Sequence, residues 1–464
     1  MRAGGLEPAA ACVFPGFDGL TVPDWLRRQL AGGLGGVVLF ARNVRDSEQL
    51  AALTAEMRAE RPELLIAVDE EGGDVTRLEA AKGSSFPGNL ALGALDDLAL
   101  TRRVAAAIGG ELASAGVNLD LAPVADVVVD PANPIVGVRS FGSDPELVAR
   151  HVAAFVEGLQ GTGVAACAKH FPGHGETAAD SHLELPTAEA DRETLLARAL
   201  PPFAAAVDAG VRAVMTAHIR FPAFDEEPAT LSARLIGLLR SELGFGGLVL
   251  TDALEMRAIS RTVGLEEGAV RALTVGADAL CLGADRTPSE VERVQDAILA
   301  AVRAGRLPAG RLHEAAARVA ETAAWASSPL PGQDREAGAE AARHAVRVEG
   351  NLSLDGEPLV VELWSEPSIA AGEARHGLGE LMGAETVRLR EGEPLPSVDP
   401  KRPLVLVLRD AHRHRWQREL IVPGAIVVEM GLPQWRPQEA RAYVATYGAG
   451  RANLEAAAEL FARR

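Results

Sequence analysis

Short apolar runs recur along the first three hundred positions, and alanine-rich stretches with apolar residues at helical spacing lie between them. The runs are bounded by Gly, Asp and Asn, which is the pattern of strands buried on both faces. They predict strands over Ala11–Gly16, Gly36–Phe40, Leu65–Asp69, Asn118–Leu121, Ala165–Lys169, Ala213–Ala217, Leu248–Asp252 and Ala279–Leu282. The periodic stretches predict helices over Asp46–Ala59, Ala99–Ala115, Pro145–Gly161, Arg192–Ala209, Ala233–Leu243, Glu266–Val275 and Glu290–Ala304. Strands alternating with helices predict a parallel sheet with right-handed crossovers. Eight such units predict an α/β chain built on a (β/α)8 barrel of the TIM type.

The pattern breaks at Ser327-Ser328-Pro329-Leu330-Pro331-Gly332, a linker signal. Further apolar runs follow at Leu359–Trp364, Thr386–Leu389, Leu404–Leu408, Ile426–Glu429 and Tyr443–Tyr447. The expected organisation is therefore a barrel over 1–326, a linker over 327–340 and a smaller α/β sandwich domain over 341–464. The second unit would have roughly 120 residues, an ordinary domain size.

Polar residues gather where the predicted strands end. Asp69-Glu70-Glu71, Lys169-His170, Thr216-Ala217-His218 and Thr251-Asp252 all fall at carboxyl ends, the catalytic face of such a barrel. The densest stretch, Lys169–His182, puts a lysine, His170, His174, His182 and Asp180 into one Gly- and Pro-containing segment, which reads as a loop. Asp180 and His182 are two apart, so extended backbone leans both to one side, and a carboxylate beside an imidazole makes a proton carrier. Zinc ligation by these histidines is the competing chemistry, but the His-x3-His-x7-His spacing suits no single helical face beyond its first pair. Asp252 is the first charge after a buried strand and reads as a nucleophilic carboxylate or a helix cap. The 69–71 carboxylates read as hydroxyl acceptors or as a structural ion-pair cluster with Arg77 nearby. Arg413–Arg418 reads as a solvated helical face.

Composition narrows the partners. A formal net charge of −18 repels nucleic acid and anionic membrane surfaces. Aromatics at 4% are too few for a broad stacking platform. Cys12, Cys167 and Cys281 are odd in number and unpaired in spacing, which points to a reduced, cytoplasmic protein. Met1–Phe17 lacks the basic and apolar regions of a signal peptide, and no apolar run is long enough to span a membrane.

Lys-His-Phe-Pro-Gly-His-Gly at 169–175, followed by Asp180-Ser181-His182, resembles the signature loop of the β-N-acetylglucosaminidases of glycoside hydrolase family 3. Asp69–Gly73, Ala122–Val127, Arg139–Gly142, Met215–His218, Pro228–Ser232 and Thr251–Ala253 resemble further segments of that family. Asp74 departs from it, standing where many members carry arginine. The resemblance implies Asp252 as nucleophile, His182 as general acid/base and Asp180 as its orienting partner. It implies Asp69, Arg77, Arg139, Lys169 and His170 as binders of N-acetylglucosamine. It implies a retaining, exo-acting enzyme on small N-acetylglucosaminides such as peptidoglycan fragments. No cofactor or metal is implied, nor a nucleic-acid or membrane partner, and the protein would be a monomer or weak homo-oligomer. Phosphorolysis, a family 3 β-glucosidase, a substrate-assisted hexosaminidase using Asp69-Glu70, and a non-catalytic sugar-binding protein are the alternatives.

Overall fold

The computed structural model describes residues 7–177, 185–332, 334–365 and 377–462. Eight parallel strands make up its first part: β1 Val13–Pro15, β2 Gly36–Leu39, β3 Leu65–Val68, β4 Leu119–Asp120, β5 Ala165–Phe171, β6 Ala213–Thr216, β7 Leu248–Thr251 and β8 Leu280–Gly283. Strands β2 to β7 form one ladder in chain order. β1 pairs with β8 (Val13 opposite Leu280), and a bridge between Leu250 and Ala279 carries β7 toward β8. The result is a curled parallel sheet wrapped by helices.

Side chains alternate along each strand, so one set turns into the curl and the other toward the helices. Phe14, Val38, Ala67, Leu119, Cys167, Met215, Leu250 and Cys281 belong to one inner cluster, closed from below by Val319 and Ala323. Val37, Ile66, Val68, Ala166, Val214 and Val249 belong to the outer cluster shared with the helices. The crossover helices begin at polar caps. Asp46, Asp97, Asp144 and Asp191 accept first-turn amides, and Thr287 forms a capping box with Glu290 behind Pro288. The three cysteines are free and buried, and burial pushes each thiol well above its ordinary range.

Strand ends differ slightly from expectation. β4 is confined to Leu119–Asp120, and β5 runs on to Phe171. The sequence ended this strand at Lys169 and placed His170-Phe171 in a loop because Pro172 and Gly173 follow. Phe171 instead pairs with Thr216, and its carbonyl accepts from Ala217 N at 2.7 Å. The periodicity also missed the helix Ala309–Trp325, whose residues Val319 and Ala323 plug the base of the curl.

A second six-stranded sheet follows, with strands β9 Arg347–Gly350, β10 Leu359–Leu363, β11 Glu385–Leu389, β12 Leu404–Leu408, β13 Ile426–Glu429 and β14 Ala442–Ala445. Their order is β9-β14-β13-β12-β10-β11, parallel except for the edge strand β9. Each face is apolar: Val361, Leu406 and Val427 lie on one side, Val360, Val405 and Val428 on the other. The helix Arg335–Ala345 leads into it, and none of the described helices is long and apolar enough to cross a membrane.

Candidate active site

A cavity of about 580 Å³ opens at the carboxyl ends of the curled sheet. Asp69, Arg77, Arg139, Lys169, His170 and Asp252 all line it, so six of the eight expected residues converge on one space. Asp180 and His182 lie outside the described residues. The floor is apolar and comes from the inner core through Val38, Leu121, Met215 and Cys281.

One wall is a compensated charge cluster. Lys169 is buried, donates to Asp69 at 2.7 Å and forms an ion pair with Glu71 at 2.6 Å. Arg139 grips Glu71 with a two-pronged contact, Nε to Oε2 at 2.9 Å and a terminal nitrogen to Oε1 at 2.7 Å. Arg77 approaches Asp69 at 3.5 Å. Burial opposes ionisation of both carboxylates, but the neighbouring cations outweigh it. Asp69 is held well below its usual range by Lys169 and Arg77, and Glu71 is brought down to about 2 by Arg139 and Lys169. Burial likewise disfavours the charge on Lys169, yet Asp69 and Glu71 raise it above its ordinary value.

His170 is anchored through both ring and backbone. Its Nδ1 meets Asp126 Oδ2 at 2.8 Å, and Asp126 Oδ1 accepts the His170 amide at 3.2 Å and the His174 amide at 2.7 Å. Burial pushes the His174 imidazole down to about 4, and its Nδ1 meets Thr177 Oγ1 at 2.9 Å. The segment after β5 lies so close to 127–130 that a Cβ on Gly175 would sit 1.6 Å from Val127 O, and the Gly175 carbonyl accepts from Val129 and Asp130. Among the described residues, no group of three or more His, Cys, Asp or Glu side chains is arranged to hold a metal ion.

Asp252 follows β7 and lines the same cavity. Its backbone amide donates to Thr216 O at 3.2 Å, and its Oδ1 accepts from the neighbouring Ala253 N at 2.7 Å. It caps no helix: the next one begins at Arg257 behind Met256. The turn is fixed by His218, whose Nε2 lies 3.0 Å from Ala253 O and whose Nδ1 lies 2.7 Å from Thr230 Oγ1.

Glu70, proposed above as half of an acidic pair, turns away. Its Oε2 accepts the Arg77 and Leu78 amides at 2.8 and 3.0 Å, and burial raises it to about 7. It does not line the cavity, whereas Glu71 does. Glu71 and His174 were singled out in sequence only as members of their clusters, and Asp126 was given no role. Two signals were present. Glu71 is two residues from Asp69 and so shares its side in extended backbone. Asp126 is the one charge in the apolar run Ala122–Val129, and a buried charge requires a partner.

A cavity lined by carboxylates and paired cations at the strand ends of a curled α/β sheet defines the class as an α/β protein with the layout of an active site. The chain belongs to glycosyl hydrolase family 3: residues 21–322 match the model of the N terminal domain of that family. Beta-hexosaminidase A of Pseudoalteromonas piscicida is 37% identical over 316 residues, covering 62% of this chain and 53% of that protein. This chain thus spans about half the length of that relative. The solved family 3 beta-N-acetylglucosaminidase from Paenibacillus sp. str. FPU-7 is 32% identical and superposes with a TM-score of 0.86 over 98% of this chain and 95% of its own. NagZ from Neisseria gonorrhoeae, solved in complex with N-trifluoroacetyl-D-glucosamine, is 32% identical with a TM-score of 0.57, covering 67% of this chain and 97% of its own.

Proposed function

We propose that this protein is a retaining, exo-acting β-N-acetylglucosaminidase that removes terminal N-acetylglucosamine from small glycosides, peptidoglycan fragments among them. The observation that carries the reading is the meeting in one cavity of Asp252 with Asp69, Arg77, Arg139, Lys169 and His170. The hexosaminidase names of the relatives above support the sugar. A cavity of about 580 Å³ floored by packed side chains suits a chain end rather than a strand passing through. We further infer that the curled sheet is a (β/α)8 barrel, since all eight strands supply one inner cluster. The chain would divide into 1–326, a linker over 327–340 and an α/β sandwich over 341–464. Three buried free thiols favour a reducing compartment, and thus the cytoplasm.

Asp69, Glu71 and Lys169 neutralise one another in place, so a sugar hydroxyl entering between them meets fixed acceptors and donors without reorganisation. The sugar is thereby held with its anomeric carbon toward Asp252. Asp252 attacks that carbon while His182 gives its proton to the departing oxygen. His182 then takes a proton from water, and the water releases the sugar from Asp252 with net retention. Most retaining glycosidases use two carboxylates for these roles. An imidazole in the acid role must begin as imidazolium, and Asp180 beside it favours that form.

A slow fluoro-sugar substrate followed by peptide mass mapping tests the reading. One adduct on the peptide containing Asp252 is expected, with a loss of kcat on the order of 10⁴-fold or more in Asp252→Ala. An oxazoline product without an adduct sinks it. Running the assay with phosphate separates hydrolysis from phosphorolysis: free N-acetylglucosamine is expected, and a sugar 1-phosphate reassigns the acceptor.

A further inference from the structure

The two loops that bring sugar-facing groups to the cavity are gripped from outside by the second sheet. Asp74 lies in the loop that carries Asp69, Glu71 and Arg77, and its side chain is 3% exposed. It forms an ion pair with Arg409, the residue after β12, and its Oδ1 accepts from Ala449 N at 2.7 Å. Gly450 presses on the same loop, so that a Cβ there would lie 2.8 Å from Gly73 Cα. Gly72 and Gly73 have φ of +79° and +60°, a backbone with little rigidity of its own. The second loop carries Arg139. His412 Nε2 lies 2.7 Å from Pro131 O, and Leu432 completes a buried cluster with Leu90, Val128, Val136 and Val138. Arg139 and Glu71 then tie the two loops together. These contacts start just beyond the carboxyl ends of β12, β13 and β14.

We propose that the second unit is a positioning element of the sugar site: Arg409 acting through Asp74, and His412 with Leu432 acting through residues 131–138, set the places of Asp69, Glu71, Arg77 and Arg139. This deepens the N-acetylglucosaminidase reading and rests on it. A buried ion pair is suited to the task, because deleting one partner strands the other charge and the flexible glycine pair gives way first. The nucleophile is held differently, by Thr216 and by the His218 contact to its turn. Loosening the grip therefore acts on sugar binding more than on the chemical step.

The test compares full-length Arg409→Met, Arg409→Lys and His412→Ala with the native chain. The measurements are far-UV circular dichroism, KM and kcat on an aryl N-acetylglucosaminide, and the inhibition constant of free N-acetylglucosamine. In Arg409→Met, kcat/KM is expected to fall about ten- to a hundredfold, the scale of a small misplacement of binding groups. Most of that fall should be a rise in KM, with the inhibition constant rising in step. Arg409→Lys should recover a large part of it. His412→Ala should raise KM about fivefold, the worth of one hydrogen bond. Folded variants with native KM and inhibition constant, even at lowered Tm, overturn the proposal. If Arg409→Met does not fold, His412→Ala decides alone. If the native chain neither cleaves nor binds these sugars, the activity reading fails, and hydrogen exchange over 69–77 then judges the clamp. Faster exchange there in the variants upholds it, and unchanged exchange overturns it.

Discussion

Glu70 and Glu71 are neighbours in sequence with opposite ionisation. Glu71 faces cations and is brought down to about 2, while Glu70 faces backbone amides in a buried pocket and is raised to about 7. Beneath them Asp120, wholly buried, accepts from the Glu70 amide at Oδ1 and is itself pushed well above the carboxylate range by burial. The two signs have opposite consequences for stability. A raised carboxyl favours the fold below its unfolded value near 4.5 and loses that contribution as pH rises through 7. A lowered one contributes above 4.5 and loses it as pH falls toward 2. In Glu70→Gln the amide oxygen still accepts both amides, but the titration is gone. Its Tm relative to the native chain is therefore expected to climb steadily between pH 4.5 and 7, read by thermal melts across that range. A difference that stays flat over that interval refutes the assignment. The sequence displayed three carboxylates at one strand end, but it could not say which is neutral. That depends on Asp120, Arg139 and Lys169, partners some fifty to a hundred positions away.

At the level of elements, the strand ends were legible and the joints between them were not. Uninterrupted apolar runs such as Leu65–Val68 and Leu248–Thr251 have a single reading in a parallel sheet, and charges directly after them must emerge at its rim. The turn after β7 shows what was hidden. His218, seen in sequence only as one more rim residue, reaches from the end of β6 to the carbonyl beside Asp252. Ala253 O can only accept, so Nε2 carries a proton and donates it there. His218→Ala removes both contacts without altering the charge wall. Its kcat is expected to fall about ten- to a hundredfold, with KM for an aryl N-acetylglucosaminide little changed. A variant that raises KM instead, with kcat intact, would show that the turn serves binding rather than the placing of Asp252. Together with the Arg409 variants this divides the cavity into two parts that fail differently.

Across the whole molecule, a change of pattern was readable from the break after Ser327 and from the valine-rich runs beyond it, and the second sheet begins past that break, at Arg347. How the parts engage was not. Asp74 and Arg409 are 335 positions apart, and each taken alone reads as an ordinary surface charge. The stretch Arg413–Arg418, taken for a solvated face, is one in part: Arg415 is 84% exposed, while Gln417 is buried. The three thiols give the molecule a property that concerns neither sugar nor catalysis. Cys12 adjoins β1 and Cys281 sits in its neighbour β8, with Cys167 apart from them in β5, and each is nearly sealed from solvent with its proton held tightly. A chromogenic disulfide reagent should find the native chain almost silent, since thiolate and access are both lacking. Reaction would then advance only as fast as the sheet breaches, and mass spectrometry of the quenched products would show which seam parts first. Cys281 also borders the cavity floor, so its labelling should slow further when a sugar occupies the space above it. The chain thus carries three built-in tripwires, and the order in which they trip records the route by which it comes apart.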